Sequence, residues 1–192
     1  MEYDAAKQAV RGVNERGAEF TRDYDAAGRA TRFEGPYGVL EEKAYDAAGR
    51  VTSITDALGN VTHFTYNKVG KMTSKTDANG HLTQYEYDKI GRLTKTTFAD
   101  DTTFEKEYAC CEAVTRQKDQ TGNQTWYEYD TLGRLIMVTD SLGGETSFSY
   151  DEQGNRISQT DAEGRTTYWE YDKAGRMVKH ILPTGLFETF TY

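Results

Sequence analysis

Polar and apolar positions alternate along this chain in short runs, each broken by a polar cluster that ends in Gly. Residues 61–66 read Val61, Thr62, His63, Phe64, Thr65, Tyr66, and residues 124–129 read Gln124, Thr125, Trp126, Tyr127, Glu128, Tyr129. Residues two apart share one face of a strand. One face therefore carries Phe64 with Tyr66, or Tyr127 with Tyr129, and the other is mixed and mostly polar. The runs are six or seven residues long, which is strand length. The pattern predicts many short strands joined by tight turns.

The strands recur on a fixed grid. Tyr stands at 3, 24, 45, 66, 87, 108, 129, 150, 171 and 192, every interval being 21 residues. With 14 Tyr in 192 positions, chance would place about one in ten such sites. The chain reads as a single array of about nine repeats over residues 1–192, with no insertion or deletion.

Each repeat carries two turn signals. The first is Tyr-Asp-x-x-Gly-Arg: Tyr24, Asp25 and Gly28; Tyr45, Asp46 and Gly49; Tyr87, Asp88 and Gly91; Tyr129, Asp130 and Gly133; Tyr171, Asp172 and Gly175. Tyr66 with Asn67 and Gly70, and Tyr150 with Asp151 and Gly154, are variants. The second is Thr-Asp-x-x-Gly, as at Thr76, Asp77 and Gly80. Asp at the first turn position accepts backbone N–H bonds. Gly three residues on takes the left-handed conformation that closes a type I turn with a bulge. One repeat is then two antiparallel strands and two turns. The column Phe64, Tyr85, Tyr127, Phe148, Trp169 predicts aromatics stacked repeat over repeat, beside the aliphatic column Val51, Met72, Leu93, Val114, Leu135, Met177. A Thr ladder runs through 31, 52, 73, 94 and 115.

The array is irregular at 1–40 and 98–116. Lys7 replaces a turn Gly, and Gly35-Pro36-Tyr37 disturbs a second turn. Phe98 to Asp101 lacks the turn Gly, and Tyr108 to Glu112 lacks both Asp and Gly. Spacing is kept, so the turns are expected to form.

Composition narrows the function classes. Lys+Arg 23 against Asp+Glu 31 gives a net charge of −8, and hydrophobic content is 36 %. An acidic chain lacks the basic stripe of a nucleic-acid binder. Aromatics at 12 % argue against disorder. No apolar run is long enough to span a membrane, and the first residues carry no signal peptide. The adjacent Cys110 and Cys111 are poorly placed to bridge each other.

Tyr-Asp-x-x-Gly-Arg followed by Thr-Asp-x-x-Gly-x-x-Thr-x-Tyr-x-Tyr-Asp resembles the YD, or Rhs, repeat. Gly80 to Asp88 and Gly122 to Asp130 match it closely. The resemblance implies a curved or spiralling antiparallel sheet, an open segment of a hollow β-shell. Shells of this family occur in Rhs polymorphic toxins, in the B and C parts of Tc toxins, in wall-associated proteins and in teneurins. It implies a secreted or cell-surface parent, further YD repeats or a capping domain at the sheet edges, and toxin cargo in the parent. Nine repeats closed into one ring would measure roughly 86 Å around and about 27 Å across, too narrow for a folded enzyme. The chain is therefore expected to supply a section of wall.

Catalytic, metal and cofactor sites are not expected. His63, His81 and His180 fall in different columns, and the Asp residues recur as turn formers. The alternative function is carbohydrate binding or adhesion, with Trp126, Tyr168 and Trp169 as candidate stacking residues.

Overall fold

A computed structural model describes residues 2–5, 8–109 and 112–192. Nineteen strands belong to one antiparallel sheet, and no helix occurs among the described residues. Two compact units divide the chain, Met1–Gly91 with Thr96–Asp101, and Arg92–Lys95 with Thr102–Tyr192.

The first unit contains β1 (Glu2–Tyr3), β2 (Ala9–Val13), β3 (Glu19–Tyr24), β4 (Ala30–Gly35), β5 (Gly38–Tyr45), β6 (Val51–Asp56), β7 (Val61–Tyr66), β8 (Met72–Thr76) and β9 (Leu82–Tyr87). β10 (Leu93–Thr97) falls at the division. The second unit contains β11 (Thr103–Tyr108), β12 (Val114–Lys118), β13 (Gln124–Tyr129), β14 (Leu135–Thr139), β15 (Glu145–Tyr150), β16 (Arg156–Thr160), β17 (Thr166–Tyr171), β18 (Met177–Ile181) and β19 (Phe187–Thr189). Within each unit every register joins strands consecutive in the chain, as in β6 with β7 and β7 with β8, or β13 with β14 and β14 with β15.

The turns follow the chemistry of their residues. At Asp25 the Gly28 N–H donates to the Asp25 carbonyl at 2.9 Å, and the Asp25 N–H donates to the Arg29 carbonyl at 2.9 Å. The Asp25 carboxylate accepts the N–H groups of Ala27 and Arg29. The same bonds recur at Asp46 and Asp130, and at the second turn type at Asp77 and Asp161. Every positive φ among the described residues lies on the turn grid. Fifteen are Gly, and the remaining two are Asp101 (φ 61°) and Glu112 (φ 66°), at the turns that lack Gly. There the Asp101 N–H donates to the Phe98 carbonyl, and the Ala109 N–H to the Ala113 carbonyl. At the other irregular site Pro36 and Tyr37 form a shorter turn, with Gly35 and Gly38 paired across it. Lys7, Cys110 and Cys111 lie outside the described residues.

The odd period has a structural cause. Both turn types insert five residues between paired positions, as between Tyr66 and Met72 or Thr76 and Leu82. On the Tyr side, however, the register slips by one. Thr65 pairs with Ser74 but Tyr66 with Met72, so Thr73 is passed over. The residues passed over at this point are Thr31, Thr52, Thr73, Thr115, Ile136, Ile157 and Val178. All are β-branched, the class that suits extended backbone best. Each of these pairings thus holds a β-bulge, which bends its strand and raises the local twist, and the β4–β5 pairing adds a further slip at which Leu40 is passed over.

No hydrophobic side chain among the described residues is buried, and Thr96, 8 % exposed, is the most enclosed. Backbone ladders and half-buried contacts along one face hold the sheet. Paired residues share a face, which links Ile54, Thr62, Phe64, Lys75 and Thr83 in the first unit. In the second it links Tyr127 with Val138, Phe148 with Gln159, and Trp169 with His180. The expectation of aromatics stacked repeat over repeat is corrected here. Equivalent columns stand two strands apart, about 9.6 Å, beyond the 4.5–7 Å or so at which rings meet. Among the described residues, rings stack at Phe20–Phe33 (5.8 Å) and at Trp169–His180 (5.6 Å).

Candidate functional site

The most elaborate side-chain chemistry joins one repeat to the next. The Arg that follows the turn Gly folds back on its own turn Asp. Arg134 Nε donates to Asp130 Oδ2 at 2.6 Å. Its Nη1 donates to the carbonyl of Asp151, in the next repeat, at 3.0 Å. Its guanidinium lies 4.9 Å from the centre of the Tyr150 ring. Arg29 makes the equivalent contacts to Asp25, Asp46 and Tyr45, and Arg50 to Asp46, Asn67 and Tyr66. Arg92 donates to Ala109 O and lies over Tyr108.

The Tyr of each repeat completes the staple from the other side. Tyr66 O–H donates to the Val51 carbonyl at 2.8 Å, and Tyr129 O–H to the Val114 carbonyl at 3.0 Å. The same bond, always fifteen residues back, is made by Tyr45, Tyr87, Tyr108, Tyr150, Tyr171 and Tyr192. A neutral hydrogen bond of this kind contributes about 1 kcal/mol, and an exposed cation–π pair about 0.5–1 kcal/mol. The sum per repeat is small, but the contact recurs along the array.

Several turn carboxylates are held below the ordinary Asp value by the donors around them. Backbone N–H and guanidinium donors from Arg134 hold Asp130 below the ordinary Asp value, and the Arg50 guanidinium and N–H do so for Asp46. At Asp151 the side chain of Asn155 takes the place of Arg. Partial burial raises Tyr87 and Tyr129. Asp, Gly and Tyr were each singled out by the periodicity. The roles of the Arg and of the Tyr hydroxyl were not, although Arg trailing Gly by one and preceding the next Tyr by 16 was a visible signal.

The candidate stacking residues are not gathered. Trp126 and Tyr168 are 41 % and 50 % exposed and share a face, through Trp126–Thr139 and Ser158–Tyr168. They stand four strands apart, about 19 Å. Trp169 is on the opposite face, against His180 and Arg156. The histidines have separate settings. His63 is opposite Ser53, His81 bonds Asp77 at 2.9 Å, and His180 stacks on Trp169.

A strand-and-turn unit stapled to its successor by Asp, Arg and Tyr defines a tandem β-repeat protein. The RHS repeat family matches at residues 45–81, 66–103, 129–166 and 150–186, more than half the chain, and the chain belongs to that family. No curated protein matches it in sequence. Its fold is similar to part of the TcdB2–TccC3–Cdc42 crystal structure, with a TM-score of 0.58, 16 % identity and 91 % of this chain covered. A TcdB2–TccC3 crystal structure gives 0.56 at 16 % identity, covering 92 % of this chain. The Tc holotoxin pore of Photorhabdus luminescens also gives 0.56 at 16 % identity and 92 % coverage. The chain spans about an eighth of the length of these relatives, 12 %, 13 % and 12 % respectively.

Proposed function

We propose that this array is a wall section of a larger β-shell, in a parent of the toxin or cell-surface type, and that it works by exclusion. The sheet would separate a protein cargo from solvent, with no chemistry of its own. One observation carries this reading: the best-developed side-chain contacts join repeat to repeat, while the described residues include no buried hydrophobic core. A wall needs a long, continuous, self-registering sheet. The likeness to part of the much longer Tc toxin chains supports the same reading. The Tyr, Asp and Gly columns are on this view its structural residues, and residues 1–192 one array. Partners are further YD repeats or a capping domain at the edges, with toxin cargo in the parent.

Electron microscopy and limited proteolysis of the parent protein test this. The expected result is a hollow particle with a protease-resistant enclosed segment, exposed when Arg50, Arg92 and Arg134 are replaced together. An extended particle, or a segment digested equally fast in both forms, overturns it. The glycan-binding alternative rests on the exposure of Trp126 and Tyr168. It calls for a glycan-array signal that is lost on Trp126→Ala.

A further inference from the structure

One repeat breaks the staple in a specific way. Where five repeats read Gly-Arg followed by an aliphatic or other apolar residue (Ala30, Val51, Leu93, Leu135, Met177), this one reads Gly154-Asn155-Arg156. The arginine has moved one position along the chain. Asn155 takes over the turn carboxylate, its Nδ2 donating to Asp151 Oδ2 at 2.9 Å. Arg156 falls in the column held elsewhere by Ala30, Val51, Met72, Leu93, Val114, Leu135 and Met177. It pairs with Tyr150 and projects among the aromatics. Its guanidinium carbon lies 4.4 Å from the Trp169 ring centre and 5.9 Å from that of Phe148. Beyond Trp169 the His180 ring continues the stack at 5.6 Å and 10°.

Arg156 is exposed. Among the described residues no group accepts a hydrogen bond from its guanidinium, and no carboxylate pairs with it. The staple arginines such as Arg29, Arg50 and Arg134 all bond an Asp carboxylate. A cation held against two rings loses little further freedom on binding. Its in-plane N–H fork matches the two oxygens of a carboxylate. A single fixed cation suits a monoanion better than a phosphate dianion, and the flanking rings favour an apolar neighbour on the ligand.

We propose that Arg156, with Phe148 and Trp169, is a binding site for a carboxylate flanked by apolar groups, as an acidic side chain of a protein segment presents it. The test follows Trp169 fluorescence in a Trp126→Phe background of the full chain, where Trp169 is the sole Trp. The probes are a capped tripeptide with one aspartate between two phenylalanines, its asparagine counterpart, and inorganic phosphate. The aspartate peptide is expected to give a saturable change. Binding should weaken at least about tenfold with the asparagine peptide and with Arg156→Met, the loss of one charge-assisted hydrogen bond. Met occupies this column at 72 and 177, so the variant should keep the wild-type circular dichroism and unfolding midpoint. If it does not, Arg156→Lys, which keeps charge and loses the fork, should bind with intermediate strength. No saturation with the aspartate peptide, equal binding of the asparagine peptide or of an Arg156 variant, or tighter binding of phosphate each overturns the proposal.

Discussion

Replacing Gly133 by Ala isolates the conformational demand of the turn grid. Gly133 has φ 80°, and a Cβ built there meets nothing within 4 Å. Packing therefore contributes nothing to the change. An L-residue in the left-handed region costs about 1–2 kcal/mol. Stiffening the unfolded chain returns about 0.4–1 kcal/mol. Taking the middle of both ranges, the net destabilisation is about 0.8 kcal/mol. With a urea slope of about 2 kcal/mol/M, the unfolding midpoint should fall by roughly 0.4 M. The converse change is Glu112→Gly, which relieves φ 66° and should raise the midpoint by a similar or smaller amount. Asp101→Gly should gain less, because Asp tolerates the left-handed region better than Glu does. Gly144 is the steric control. It has no positive φ, but an added Cβ would lie 2.7 Å from Asp140 Oδ2 and 3.1 Å from Ala162 Cβ. Gly144→Ala should therefore cost less than Gly133→Ala, because the Asp140 carboxylate can shift and Asn60, His81, Asn123 and Arg165 carry a Cβ at the same repeat position. Urea titrations followed by circular dichroism measure all four. A neutral Gly133→Ala, or a destabilising Glu112→Gly, would refute the reasoning.

Acid should unfold the array through its turn carboxylates. Asp25, Asp46, Asp130 and Asp172 have folded pKa values below their unfolded ones, held down by N–H and guanidinium donors. Their contribution is complete above the unfolded value of about 4 and disappears as pH falls through the lower folded value. Thermal midpoints should be flat from about pH 7 to 5 and drop below about 4, and a midpoint rising on acidification would contradict this. Tyr129→Phe should cost about 1 kcal/mol by leaving the Val114 carbonyl without its hydroxyl donor, read from urea midpoints. Arg134→Lys should cost about 1 kcal/mol as well, because an ammonium cannot reach Asp130, the Asp151 carbonyl and the Tyr150 face together. Phe187, 61 % exposed on β19, invites strand-edge association, so Phe187→Lys should lower the mass seen by light scattering at high concentration.

Strands, turns and faces were legible because each is written in residue types with local physical meaning. Asp and Gly fix a turn wherever they stand, and period-two alternation fixes a face. The bulge was hidden, although its trace was the odd period and the Thr column at 31, 52, 73 and 115. Nothing local distinguishes a bulged Thr from a paired one. The aromatic column misled for a related reason: equal positions in successive repeats are neighbours in sequence pattern but not in the sheet. The staple joins Arg134 to Tyr150 across a strand pair, and such a contact needs the register before it can be read. At Arg156 the one-residue shift was visible as Asn155 in the Arg column, but its consequence depended on which face the displaced side chain meets.

The staple has a direction. Each Arg reaches forward, to the carbonyl and ring of the following repeat, as Arg29 does to Asp46 and Tyr45. Each Tyr hydroxyl reaches back fifteen residues, as Tyr66 does to Val51. The junctions that carry Arg29, Arg50 and Arg134 are therefore plugs meeting sockets of the same form. Excising residues 46–66 would bring Arg29 to the carbonyl of Asn67, with Tyr45 still in place beneath its guanidinium. Lengthening or shortening by whole repeats between junctions that carry the Arg conserves the staple. Reversal, or a cut out of phase, destroys the junction it touches. The span of such a sheet can change by duplication and loss of 21-residue blocks with the staple contacts kept.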